Sequence, residues 1–145
     1  MDLDKRFVGK KYGPVTYEVG REKIAEYALA IKNTDPHYLD EEFARRTPYG
    51  GIIAPPTFAV VYAGKLIIPF FFDSDLNLNL AMLVHGEQAF EFHQVVRPGD
   101  TITTTGEITS IINKEKLDVV AVRGESKNQT GELVCTATFT FVIRK

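Results

Sequence analysis

Asp35, Pro36 and His37 sit together in the stretch I-K-N-T-D-P-H-Y, Ile31 to Tyr38. A carboxylate and an imidazole this close suggest acid/base work, which needs two groups that trade protons at one reacting carbon. They flank a single proline, so their side chains need not converge. The structural alternative is an Asp35 that bonds its own backbone in a turn next to Pro36, with His37 as a partly exposed loop histidine. A second set of polar side chains lies further on. His85 and His93 are eight residues apart and fall on one face of a strand, together with Glu87 and Glu91. The opposite face then carries Val84, Phe90 and Phe92 toward a core.

These residues must be positioned by the elements around them. Val15 to Val19 alternates between Gly13-Pro14 and Gly20, and reads as a short strand. Arg21 to Lys32 places Ile24, Tyr27, Ala28 and Ile31 at spacings of three and four, an amphipathic helix with one buried stripe that Asn33 and Pro36 end. Leu39 to Arg46 reads as a second short helix, with acids at its start and Arg45-Arg46 at its end to suit the helix dipole. After the turn T-P-Y-G-G, a helix is expected from Pro56 to Ile68, since proline is tolerated in a first turn. It is apolar almost all round, which predicts burial on all sides.

Past the polar connection D-S-D-L-N-L-N the period changes to two. Strands are expected over Leu83–Val95, Thr101–Ile112, Leu117–Ser126 and Leu133–Ile143. Helices followed by an antiparallel meander argue for an α+β domain spanning residues 1–145. A curled sheet wrapped round the apolar helix is the hotdog arrangement.

The bulk numbers fit such a domain. The chain has 145 residues, 44% hydrophobic and 25% charged, with net charge -2. No basic face points to nucleic acid. The longest apolar run, near Leu66 to Phe72, is too short for a bilayer span, and the N-terminus lacks a signal-like apolar core, so a cytoplasmic location is expected. The single cysteine, Cys135, reads as a small buried hydrophobe. No metal or cofactor is expected, because zinc, G-x-G and P-loop spacings are all absent.

The stretch H-G-E-Q-A-F-E-F-H-Q-V-V-R-P-G-D, His85 to Asp100, resembles the central strand and turn of MaoC-like dehydratases. With Y-G-P-V-T-Y-E-V-G-R-E-K-I-A-E-Y-A-L-A-I-K-N, Tyr12 to Asn33, it is similar to the N-terminal, non-catalytic hotdog type of that family. That type includes the accessory subunit of the mycobacterial (3R)-hydroxyacyl-carrier-protein dehydratase. Active members carry D-x-N-P-x-H, whose Asp and His hold the water that adds to or leaves an acyl thioester. Laid on that pattern, Asn33 stands at the Asp position and Tyr38 at the His position. An amide cannot act as a base, and a phenol with a pKa near 10 is poorly matched to neutral pH. Active members also show I-A-H-G where this chain has I-A-P-P, and Pro56 has no N–H to offer a thioester oxygen.

The resemblance therefore implies an accessory half. It would pair with a catalytic hotdog subunit carrying D-x-N-P-x-H and shape the tunnel for an acyl chain on CoA or acyl carrier protein. Substrate contacts are expected from Tyr49, Gly50, Gly51, Pro56, Thr57, Phe58 and Tyr62. Alternatives are a self-sufficient homo-oligomeric hydratase using Asp35 and His37, a thioesterase, or a non-enzymatic acyl-thioester binding module that pairs with itself. The thioesterase reading is weakened because no acid lies between Thr57 and Ile68.

Overall fold

The computed structural model describes every residue, Met1–Lys145. Five antiparallel strands form one sheet in the order β1-β3-β4-β5-β2. They are β1 (Lys11–Glu18), β2 (Leu83–Phe92), β3 (Thr101–Asn113), β4 (Leu117–Lys127) and β5 (Leu133–Arg144). The helices are α1 (Arg21–Ala30), α2 (Pro36–Leu39), α3 (Glu41–Arg45), α4 (Ala59–Ala63) and α5 (Ile67–Phe71). Single 3₁₀ turns, Pro56–Phe58 and Gly64–Leu66, join α4 and α5 into one central helical run. The sheet curls round that run, as the hotdog arrangement requires.

The alternation of β3, β4 and β5 decides which residues meet the helix. Ile102, Thr104 and Ile108 on β3, Val120 and Val122 on β4, and Phe139 and Phe141 on β5 are buried against Phe58, Leu66 and Phe70 of the central run. The two polar members of this layer satisfy each other, with the Thr104 and Ser126 hydroxyls 2.7 Å apart. The helix enters the sheet most closely at Leu66. A Cβ on Gly106 would lie 2.4 Å from Leu66 Cδ2 and 2.4 Å from the Arg123 carbonyl oxygen, so only glycine lets the strands wrap this tightly.

Several expectations are corrected. The first strand begins at Lys11 rather than Val15, because a register shift between Tyr12 and Val15 carries it past Gly13-Pro14. α1 ends at Ala30, and Ile31 is exposed rather than part of the buried stripe. The second short helix is two, α2 and α3, divided at Asp40, whose carboxylate accepts the Phe43 N–H. The central helix is not enclosed on all sides. Ile68 is 56% and Phe72 74% exposed, because the sheet covers only one face of the run.

β2 ends at Phe92, short of Val95, and its faces differ from the simple alternation. A bulge between His85 and Glu87 flips the face on which later residues point. His85 pairs with Phe141 and its ring lies tilted against that ring at 5.1 Å, on the core side with Gln88, Phe90 and Phe92. Glu87 and Glu91 pair with Thr140 and Thr136 on the outer side, and Val84 is 57% exposed. His85 therefore leaves the polar stripe of the glutamates, whereas the His93 ring, with Nε2 3.2 Å from the Thr136 hydroxyl, stays on the side of Glu91.

The chain ends are pinned at one place. Asp118 is buried, and its carboxylate accepts from the Leu3 N–H at 2.9 Å and the Asn113 amide at 2.9 Å, and pairs with the Lys145 ammonium at 3.2 Å. Burial alone would raise its pKa, but these partners outweigh burial and hold it below the ordinary carboxylate value. A folded pKa below the unfolded one adds stability that is complete above the ordinary carboxylate range and is lost as pH falls through the lowered value. Asp118→Ala should cost about 1–3 kcal/mol at neutral pH by orphaning these donors. The loss should shrink below about pH 4, where the wild type also gives up the interaction. Urea titrations at neutral and acid pH check this; an equal loss at both would rule it out.

Candidate functional site

The end of the central run near Pro56 faces an open cleft of about 540 Å³. Its walls come from four segments: Tyr38 of α2, the loop bearing Tyr49 and Ile53, the start of the central run with Pro55, Pro56 and Tyr62, and the stretch Phe92 to Arg97 after β2. Backbone bonds tie these together. Ile53 N–H donates to the His37 carbonyl at 3.2 Å, and Ala54 N–H to the Val96 carbonyl at 2.8 Å. The Arg97 guanidinium donates to the Tyr49 carbonyl, and its own N–H goes to the Asp100 carboxylate at 2.9 Å. The R-P-G-D turn thus holds the loop that carries Tyr49. Gly50 adopts φ +71 within that loop, a conformation that asks for glycine.

Asp35 and His37 do converge, contrary to the looser expectation from their spacing. Asp35 caps α2, accepting the His37 N–H at 2.9 Å, and its carboxylate also meets His37 Nδ1 at 2.6 Å. The backbone bond first, and the ring second, lower the Asp35 pKa. The His37 ring is boxed edge-on by Phe43 at 5.2 Å and Tyr49 at 6.0 Å. Tyr49 lines the cleft; Asp35 and His37 do not. The pair braces the loop behind the cleft wall.

Of the degenerate motif positions, Tyr38 and Pro56 line the cleft. Asn33 does not; its side-chain oxygen accepts the Asp35 N–H at 3.2 Å and stays in its local turn. Burial, then the Asp35 and Tyr49 charges, raise the Tyr38 pKa. Burial pushes Tyr62 up as well, with Cys135 beside it as the next cause. Both phenols remain protonated donors at neutral pH. Cys135 is buried, and burial raises its thiol pKa.

Among the expected substrate contacts, Tyr49, Pro56 and Tyr62 stand on the cleft wall. Phe58 is a correction: it is fully buried, edge-on to Tyr27 at 5.5 Å, and belongs to the core behind the wall. Thr57 is occupied by Tyr27, whose hydroxyl reaches its side chain at 2.9 Å. Gly50 and Gly51 lie outside the walls. Sequence reasoning missed Ile53, Phe92, His93 and Arg97 as cleft residues. The signal was present in the R-P-G-D turn, which ends the strand and brings Arg97 back over the loop.

The site's chemistry follows from its inventory. Its walls are largely apolar, and Tyr38, Tyr49, Tyr62 and Arg97 supply donors. No carboxylate lines it, and the ring of His93 has Nε2 3.2 Å from the Thr136 hydroxyl. Such a site can hold an apolar chain ending in a polar oxygen, and His93 puts an imidazole on its wall.

Residues 6–137 match the family described as FAS1-like, dehydratase domain region. The chain belongs to this family of MaoC-like hotdog dehydratases. A "UPF0336 protein" of Streptomyces avermitilis is 43% identical over 145 residues, covering 99% of this chain and 97% of the relative. Among solved structures, one chain of the C-terminally truncated HadBC (3R-hydroxyacyl-ACP dehydratase) complex from Mycobacterium tuberculosis superposes with a TM-score of 0.82. It is 30% identical, with 98% of each chain covered. A MaoC-like dehydratase superposes with a TM-score of 0.81 at 29% identity; the match covers 94% of this chain and 42% of that one. The MaoC-like hotdog domain described here thus has a counterpart within a longer dehydratase chain.

Proposed function

We propose that this chain is the accessory, acyl-chain-binding half of an (R)-3-hydroxyacyl-thioester dehydratase, equally an enoyl-thioester hydratase. The acid and base come from a partner hotdog subunit carrying D-x-N-P-x-H. The observation that carries this reading is the composition of the cleft: donors and apolar walls, but no carboxylate. At the helix start, Pro56 has no N–H to offer a thioester oxygen, in keeping with this reading. The likeness to a chain of a two-subunit 3R-hydroxyacyl-ACP dehydratase supports the pairing. The exposed stripe of Val60, Ile68 and Phe72 on the central run gives a partner an apolar face to cover.

The short Asp35–His37 contact favours a second reading, a self-sufficient hydratase. The absence of both residues from the cleft wall weighs against it. Hydration of crotonyl-CoA separates the two. The purified chain alone should show no turnover, and co-expression with a D-x-N-P-x-H subunit should raise the rate about 10²–10⁴-fold. Turnover by the chain alone that His37→Ala abolishes would overturn the accessory reading.

A further inference from the structure

We propose that the open edge of β2 rejects a second copy of this chain and takes a partner strand bearing cations opposite Glu87 and Glu91. This rests on reading the chain as one half of a pair, and names the chemistry that chooses the other half. β2 lies at the end of the sheet, with its far edge unpaired. Glu87 and Glu91 are exposed, and Leu83–Phe92 contains no lysine or arginine. Both glutamates point to the outer face, opposite Thr140 and Thr136 of β5. The ion pair Arg123–Glu125 on that face sits on β4, two strands away, and offers neither of them a cation.

A two-fold that joins the outer edges of two β2 strands keeps each residue on its own face. Centred on Ala89, it sets Glu87 of one copy against Glu91 of the other, and does so twice. Centred on Glu87 or Glu91, it sets a glutamate against itself. Centred on Gln88 or Phe90, it leaves the carboxylates diagonal. Like charges directly opposite destabilise a strand pair, whereas opposite charges stabilise it. The other face gives an independent sign. Gln88 buries its side-chain oxygen without a donor, and the Ala89 register would face it with Phe90, which has none. A strand with lysine or arginine outside and a donor side chain inside meets both needs.

Sedimentation of the full chain tests this without a catalytic subunit. The wild type should stay monomeric at concentrations where Glu87→Lys dimerises, because the new ammonium faces Glu91 of the second copy. Its self-association should be about tenfold tighter or more. Glu87→Lys/Glu91→Lys should again be monomeric alone, yet form a one-to-one complex with the wild type. Circular dichroism should be unchanged, since both positions are exposed. Equal self-association of wild type and Glu87→Lys, or no complex in the mixture, would overturn the proposal. Crotonyl-CoA turnover by the wild type alone would sink the accessory reading, but leave the charge rule to these association constants.

Discussion

Changing Asn33 to Asp, Tyr38 to His and Pro56 to Gly together gives this chain hydration of crotonyl-CoA about 10²-fold or more above the unmodified protein. Positioned acid/base groups contribute about 10²–10⁴-fold, and one oxyanion donor about 10²–10³-fold. Tyr38 and Pro56 already stand on the cleft wall, so groups introduced at these positions border the cleft proposed to take the thioester. The gain falls toward the low end because position 33 starts in a local turn, accepting the Asp35 N–H at 3.2 Å. An aspartate there competes between that cap and the water. The pair Asn33→Asp/Tyr38→His without the change at Pro56 should remain at least about tenfold slower, since no N–H meets the developing oxyanion. Equal rates for the double and triple variants would remove Pro56 from the account. No turnover in any variant that still binds the thioester would show that D-x-N-P-x-H is misplaced on this loop.

Gly106→Ala should lower stability by about 3 kcal/mol or more, a larger effect than ordinary surface changes give. The added methyl would meet both Leu66 Cδ2 and the Arg123 carbonyl oxygen at 2.4 Å. The side chain can move; the β4 backbone cannot do so without breaking its ladder with β3. The melting temperature should drop by roughly 6–12 °C. Adding Leu66→Ala should not restore it, because the contact with the backbone oxygen remains and a buried leucine is lost at about 2–5 kcal/mol. A loss under about 1 kcal/mol, or full rescue by the second change, would show that the sheet has slack here.

The fold was legible because its signals are local. The β-branched run Thr101 to Ile112 and the alternation in Leu117 to Ser126 specify strands whichever way the sheet closes. Pro55-Pro56 ahead of an apolar run marks a helix start by the same local logic. The family resemblance was legible too, since it rests on short stretches such as His85 to Asp100, and the residue types at Asn33, Tyr38 and Pro56 are read before any geometry is known. These are properties of single residues and short windows. They fix backbone preference, the presence or absence of an ionisable group, and the lack of an N–H at proline.

What depends on distant parts of the chain was decided by the tertiary structure. The bulge between His85 and Glu87 moved His85 onto Phe141 and left the glutamates outside, because register is set by the partner strand β5. The central run is apolar all round, but only packing shows that the sheet covers one side and leaves Ile68 and Phe72 open. Asp35 and His37 meet because the cap of α2 turns both toward each other, and of this cluster Tyr49, edge-on to the His37 ring, lines the cleft while the pair does not. Arg97 reaches the Tyr49 carbonyl across 48 residues of sequence. The sequence by itself determined the elements and the departures from D-x-N-P-x-H at Asn33 and Tyr38, since both are written in residue type. Which side chains share a cleft, and which edge stays open to a partner, came only from the closed sheet, because contacts between distant residues exist only once the chain has folded.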